Sequence, residues 1–459
     1  MKTTKLFFMA ALALMTAACS NNDNDILAPA EQPAKAQGIT ITAQLAPKSS
    51  VSGTRKVTEG TGAQAGTIVA EWEVNEHLAI LYEKDGKQMA DTKITAVDGT
   101  TGVATITFTV VEGTANNTDC QIIYPLSAAK DDKTGVKDNS TLLAAQDGTL
   151  NADLDVRVGA GTIQTSTPSL TVTTQPEAQF AIFKFTTQND NPSPAAISVK
   201  SLTVVIGSQN YVITPTSATS TLYAALPAVS AQTVVFSAVG SDDKPYYFEK
   251  DGVTFAASKY YKSTLKMSSG LHLAAITGDN YTVTGDLTIT GSTTNVIEFA
   301  YDGTDNVTIT LDNVNAPGSY LEFDGSGKLE VKLKGTNRLM AIHNFNASVT
   351  INEAAAGGTL IVITNFDAPI IGPTVTINGG VVKAKTEYEY GYAVSGSLVV
   401  NGGTVYLAGG DGNIAIYDDS VSGNVTSYGW DGSSWDSSYT DSQYITTDNT
   451  SGDPSAWAW

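Results

Sequence analysis

From residue 39 onward the chain alternates apolar and polar positions with a period of two. "GITITAQL" at 38–45, "GVATITFTVV" at 102–111 and "CQIIYPL" at 120–126 follow this pattern. Successive side chains on a strand point to opposite faces, so each run predicts a strand with one buried side. Between the runs lie Gly, Asn, Asp and Ser, the residues of turns. The expected fold class is all-β. Two β-sandwich domains are expected at 39–167 and 168–267, the second built from "AQFAIFKFTT", "SLTVVIG", "NYVITP", "TLYAALPA" and "TVVFSAV".

Residues 268–421 add a longer rhythm. Aliphatic-first segments begin at 287 (LTITGS), 307 (VTITLDN), 329 (LEVKLKG), 349 (VTINEAA), 375 (VTINGGV) and 398 (LVVNGGT). Their gaps of 20, 22, 20, 26 and 23 residues are the signature of a solenoid whose single turns cannot bury their own apolar face. The expectation is a right-handed parallel β-helix of about six coils. Leu287, Ile289, Val307, Ile309, Leu329, Val331, Val349, Ile351, Val375, Ile377, Leu398 and Val400 should point inward, and Thr288, Thr308, Glu330, Thr350, Thr376 and Val399 outward. "VIEFA", "YLEFD", "TLIVIT" and "TVYLA" supply a second strand per coil, predicting two parallel sheets. Asn352, Asn378 and Asn401 recur at one point of successive coils, where their side chains can form a hydrogen-bonded ladder. The N-G-G corners at 378–380 and 401–403 have no following helix to bind an anion, so they read as corners and not as a phosphate loop.

Charge narrows the partners. The 459-residue chain is formally −20, or −22 without residues 1–18, whose only charges are Lys2 and Lys5. Such a surface repels phosphate backbones, which argues against nucleic acid. Of the two cysteines, Cys120 reads as a small apolar residue entering a strand.

The N-terminus carries Lys2 and Lys5, then thirteen apolar or small residues from Leu6 to Ala18. That run is too short to span a bilayer and fits a signal peptide, 1–18. Ala17 and Ala18 before Cys19 resemble the lipobox of bacterial lipoproteins, which implies lipidation of Cys19 and anchoring to the outer membrane. "SNNDND" after it resembles the surface-export signal of some such proteins. Residues 19–38, polar and then Pro/Ala-rich, are expected to be a flexible tether.

"SGTRKV", "AEWEVNEHLAILYEKDG", "LAAQDGTLNADLDV", "FAIFKF", "LYAALPA" and "VTFAASKYYKSTLKM", in this order, resemble the fimbrillin family of pilin-like surface lipoproteins. The resemblance covers residues 39–267 and implies two β-sandwiches. It also implies proteolysis after a basic residue, here Arg55, and donor-strand exchange with other fimbrial subunits. The chain continues some 190 residues beyond Met267, which favours a fimbrial tip subunit or free-standing adhesin over a repeating stalk subunit. "LHLAAITGDNYTVTGDLTITGS" at 271–292 resembles β-helical carbohydrate-binding domains of bacterial lipoproteins.

Candidate chemistry is sparse. Asp302 with Asp324, or Asp411 with Asp418 and Asp419, could form a carboxylate pair for glycoside hydrolysis, but Asp302 and Asp324 each precede Gly in a turn. Arg338 and Lys385 seem scattered among unrelated corners. No catalytic residue is assigned, and the reading is not an enzyme; a polysaccharide-degrading enzyme is the competing reading. His77, His272 and His343 lack zinc-ligand spacing. "GGDGNIAIYDDS" at 409–420 offers oxygen ligands without a tandem calcium repeat, leaving calcium as a minor alternative to no cofactor. Residues 422–459 carry Trp430, Trp435, Trp457 and Trp459. They read as an aromatic cap over the last coil, with glycan stacking by Trp430 and Trp435 as the alternative. "TEYEYGY" at 386–392 offers Tyr388, Tyr390 and Tyr392 as a second stacking platform. The expected partner is a glycan or glycosylated surface.

Overall fold

A computed structural model describes residues 38–48, 58–59, 68–410, 415–417, 420–423, 425–430, 435–436 and 444–446. Cys19, Arg55, Asp411, Asp418, Asp419, Trp457 and Trp459 lie outside the described residues.

The first domain begins with β1 (Ile39–Leu45), a short pair β2 (Thr58–Glu59) and β3 (Ile68–Val69), then β4 (His77–Glu83), β5 (Lys87–Val97) and β6 (Ala104–Val110). It continues with β7 (Thr118–Tyr124), β8 (Arg157–Gln164) and β9 (Ser169–Ala178). Seven of these strands close in the order β1-β6-β5-β4-β7-β8-β9. The expected sandwich is therefore a closed barrel. β1 runs antiparallel to β6 from Ile39↔Val110 to Leu45↔Ala104, and touches β9 through Thr42↔Ser169. Ile41, Leu45, Leu78, Ile80, Ile106 and Ile122 fill the interior.

The boundary expected near 167 also moves. β8 and β9 form a hairpin from Gln164↔Ser169 to Arg157↔Ala178, so "TSTP" at 165–168 is a hairpin turn. The second domain starts at Phe180.

That domain contains β10 (Phe180–Asn189), β11 (Val199–Ile206), β12 (Gln209–Ile213), β13 (Thr221–Pro227), β14 (Val229–Gly240), β15 (Pro245–Phe255) and β16 (Tyr260–Ser269). The layer β12-β11-β14-β15 joins β16-β10-β13 only through Tyr246↔Ser269 and Tyr247↔Ser268. Phe185 of β10 meets Phe236 of β14 at 5.4 Å, edge to face, as expected between two packed layers.

The barrel and sandwich share one core. In β4, Leu78, Ile80 and Tyr82 face the barrel, while Ala79 and Leu81 belong to the cluster with Phe180, Phe183 and Phe185. Burial on both sides explains why "HLAILYE" is apolar almost throughout. The weakly patterned stretch after β7 fills the joint through Leu143, Leu154 and Val156. Buried Gln146 pairs like a strand residue there, accepting from Ala225 N at 2.7 Å and donating to Ala225 O at 3.1 Å.

Beyond Ser269 the chain winds as a parallel β-solenoid of about six turns. The first face stacks Leu287↔Ile309, Val307↔Leu329, Leu329↔Val349, Val349↔Val375, Val375↔Leu398 and Leu398↔Val421. The inward residues expected from alternation are buried, and the outward ones are not. One register differs: Leu287 sits beside Ile309, where the repeat spacing predicts Val307. A two-residue slip keeps every side chain on its face, so alternation alone does not distinguish the two.

The two expected sheets are three. A second face stacks Thr336–Leu339, Thr359–Thr364, Val381–Thr386 and Thr404–Ala408. A third stacks Glu298–Tyr301, Tyr320–Phe323, Ala341–Asn344 and the pairs Ile342↔Ile370 and Ile370↔Val394. "VIEFA" and "YLEFD" belong to the third face, "TLIVIT" and "TVYLA" to the second.

The Asn ladder is present: Asn378 Nδ2 donates to Asn352 Oδ1 at 2.8 Å, and Asn401 Nδ2 to Asn378 Oδ1 at 2.9 Å. At the N-G-G corners, Gly380 and Gly403 have φ of +80° and +85°, the left-handed region that favours glycine.

Candidate functional site

The aromatic corner between the second and third faces is built by a repeated threonine device. Thr364 and Thr386 are paired neighbours in successive coils, and both are buried. Thr364 Oγ1 accepts from Phe366 N, and Thr386 Oγ1 accepts from Tyr388 N, each at 3.1 Å. Thr386 Oγ1 also donates to Phe366 O at 2.7 Å, stitching one corner to the next. Phe366 and Tyr388 thus occupy equivalent positions, one coil spacing of about 4.8 Å apart along the axis.

Both rings project outward: Phe366 is 55% exposed and Tyr388 46%. Tyr390, 64% exposed, lies edge to face with Tyr388 at 6.1 Å. Tyr392 is half-buried against Tyr417, with centroids 4.9 Å apart. The structure therefore brings Tyr388, Tyr390 and Tyr392 to one end of the solenoid and adds Phe366 and Tyr417. Those two were legible only through the repeat, because each stands alone among polar residues in the sequence.

Trp430 and Trp435 are directly paired in short antiparallel strands, Thr426–Trp430 and Trp435–Asp436. Tyr444–Thr446 pairs antiparallel with both Thr426–Tyr428 and the last coil strand, Tyr406–Ala408. The tail thus adds strands of reversed direction to the end of the solenoid, as a cap would. The side chains of both tryptophans lie outside the described residues.

The other candidates separate. Tyr301↔Phe323 pairing puts Asp324 one coil from Asp302. A Cβ on Gly325 would lie 1.9 Å from Gly303 O, so the two Asp-Gly corners stack directly with no cleft between them. His77 contacts Asp91 at 2.7 Å, His343 contacts Ala368 O at 3.0 Å, and His272 is buried at the sandwich–solenoid joint. Among the described residues, no three His, Cys, Asp or Glu gather as a metal site. Arg338 and Lys385 are not scattered: both lie on the second face, whose strands align them in neighbouring columns.

A buried ionic cluster stands at the other end of the molecule, unforeseen in the sequence. Lys48, its side chain 1% exposed, lies 3.3 Å from Glu76 and 3.5 Å from Asp155. Its Nζ sits 3.6 Å from the Tyr124 ring centre and 4.4 Å from that of Trp72. Arg157 Nε donates to Asp155 at 2.9 Å, and its Nη1 to Lys48 O at 3.1 Å. Burial pushes the Lys48 pKa down, opposed by Asp155 and Glu76; burial and the Glu76 hydrogen bond push the Tyr124 pKa up. A cavity of about 490 Å³ adjoins this cluster at the barrel–sandwich joint.

No protein-family model and no curated protein matches the chain. Among solved structures, it is similar to a candidate cell adhesion protein from Bacteroides fragilis at 14% identity, covering 51% of this chain and 95% of that one, TM-score 0.29. It is similar to a fimbrial assembly protein from Parabacteroides distasonis at 12% identity, covering 50% and 90%, TM-score 0.29. A candidate cell adhesion protein from Bacteroides ovatus is similar at 12% identity over 51% and 96%, TM-score 0.28. These likenesses to cell-adhesion and fimbrial proteins agree with the fimbrillin resemblance read from the sequence.

Proposed function

We propose that the protein is a cell-surface adhesin, lipid-anchored to the outer membrane through Cys19, whose barrel and sandwich present a glycan-binding solenoid head. The observation that carries this reading is the corner at which Phe366, Tyr388, Tyr390 and Tyr417 are exposed together. Exposed rings grouped on rigid corners are costly to leave in water and suit stacking on the C–H faces of sugars. The repeat holds the rings in place before a ligand arrives, which lowers the entropy lost on binding. The test is retention of the mature chain on immobilised polysaccharides, beside the Tyr388→Ala/Tyr390→Ala variant. Retention that the double variant weakens supports the reading; equal retention of both proteins, or none, rejects it.

A second reading, a fimbrial subunit assembled after cleavage at Arg55, draws on β1. This strand closes the barrel between β6 and β9 and buries Ile41, Ala43 and Leu45. Its loss would leave an apolar groove that a partner strand could fill. Trypsin-type cleavage after Arg55 followed by stable multimer ladders supports this assembly; a cleaved protein that stays monomeric rejects it.

A further inference from the structure

The second face of the solenoid differs in charge from the rest of the molecule. Its column runs Arg338↔Ile361↔Lys383↔Tyr406, with Ile363↔Lys385 beside it. All six side chains project outward, since Leu339, Leu360, Val362, Val382, Ala384, Val405 and Leu407 take the buried positions. The rows 336–340, 359–363, 381–385 and 404–408 contain no Asp or Glu, in a chain with 46 of them. The first face balances its own cations: Lys332 lies 3.4 Å from Glu330 and Lys334 2.7 Å from Asp312. On the second face no carboxylate in the rows does this, and Lys383 Nζ instead stands 5.5 Å from the Tyr406 ring centre. Strand spacing puts Arg338 and Lys383 roughly 10 Å apart along the axis, with Lys385 about 7 Å from Lys383 along its strand.

We propose that this face binds an anionic polysaccharide, its acid groups on Arg338, Lys383 and Lys385 and its ring faces on Ile361, Ile363 and Tyr406. The inference rests on the glycan-adhesin reading and gives it a ligand class. The flat spacing of cations suits an extended chain with charge on repeating units, and the apolar residues between them suit sugar rings better than a bare polyanion. Carboxylate from uronic acids and sulfate esters share this chemistry, and the test separates them.

The mature chain is passed over immobilised polygalacturonate, heparin, neutral glucomannan and linear polyphosphate. Arg338→Gln/Lys383→Gln/Lys385→Gln and the charge-keeping Lys383→Arg/Lys385→Arg are run alongside, with melting curves as the check on folding. The expected result is salt-sensitive retention on polygalacturonate or heparin, whichever is stronger naming the acid group. It should be about tenfold weaker in the triple Gln variant and kept in the Arg variant. Polyphosphate held as tightly as the sugar acids, or a triple Gln variant held equally well, overturns the proposal. Retention on glucomannan alone overturns it while the adhesin reading stands. No retention on any polysaccharide overturns both.

Discussion

Lys48 and Tyr124 meet with the ammonium 3.6 Å from the ring centre, and the same ring's hydroxyl donates to Glu76, which also pairs with Lys48. The contact ties the chain just past β1 to β7 and to the acid before β4. Removing Lys48 leaves Glu76 and Asp155 buried with one cation fewer. Lys48→Met should cost about 3 kcal/mol, read as a lower denaturant midpoint at unchanged slope. A variant as stable as the parent would show that the cluster does not hold β1.

Glu59 bridges β2 to the sandwich. Tyr260 donates to its Oε1, Lys184 to its Oε2 at 2.9 Å, and Lys262 lies 3.7 Å away. The Tyr260 hydrogen bond, then the Lys184 one, lower its pKa from 4.5 to about 2. A depressed carboxylate pKa means stability that is fully present above pH 4.5 and is lost as pH falls toward 2. The group is about a third exposed, so the gain is at most about 1 kcal/mol. Glu59→Gln should flatten that part of the stability–pH curve, measured by unfolding at pH 2 to 6, and leave pH 7 stability lower by a similar amount.

Cys120 is buried, and desolvation pushes its thiol up to about 12. The thiolate is the reactive species, so iodoacetamide at pH 8 should leave Cys120 unmodified in the folded chain and label it in denaturant. Mass spectrometry after a timed pulse reads this directly; rapid native labelling would mean that β7 opens.

Gly396 has φ of +123°, and a Cβ there would lie 1.8 Å from Gly372 O in the neighbouring coil. Gly357 has φ of +86° but open space around its Cβ. Gly357→Ala should cost about 1 kcal/mol, from backbone strain alone. Gly396→Ala adds the clash and should cost about 3 kcal/mol or more, with faster amide exchange in Ile370–Ile377 and Val394–Val400. Equal losses would show that the coils separate without penalty.

Much of the solenoid was readable because its first face repeats the same inward pair in every coil, so Val349↔Val375 follows from sequence alone. The third face was not. Val307–Phe323 runs as one strand through two corners, and rows such as Ile342↔Ile370 are too short to show a period. The Lys48 cluster was hidden for another reason: Lys48 meets Glu76 across 28 residues and Arg157 across 109. Strand periodicity reports which side is buried, not which distant charges meet there. Tyr388 and Tyr390 were visible as a local cluster, whereas Arg338 and Lys383 became neighbours only through the register.

The strand Tyr444–Thr446 lies against Thr404–Ala408 with its direction reversed. A rod ending on a strand of matching polarity would offer a template on which the first coil of another copy could continue winding. Here the incoming Leu287–Ser292 row would meet main-chain groups spaced for the opposite direction. The head therefore terminates its own growth along that face, and any fibre containing this protein would have to extend from its other end.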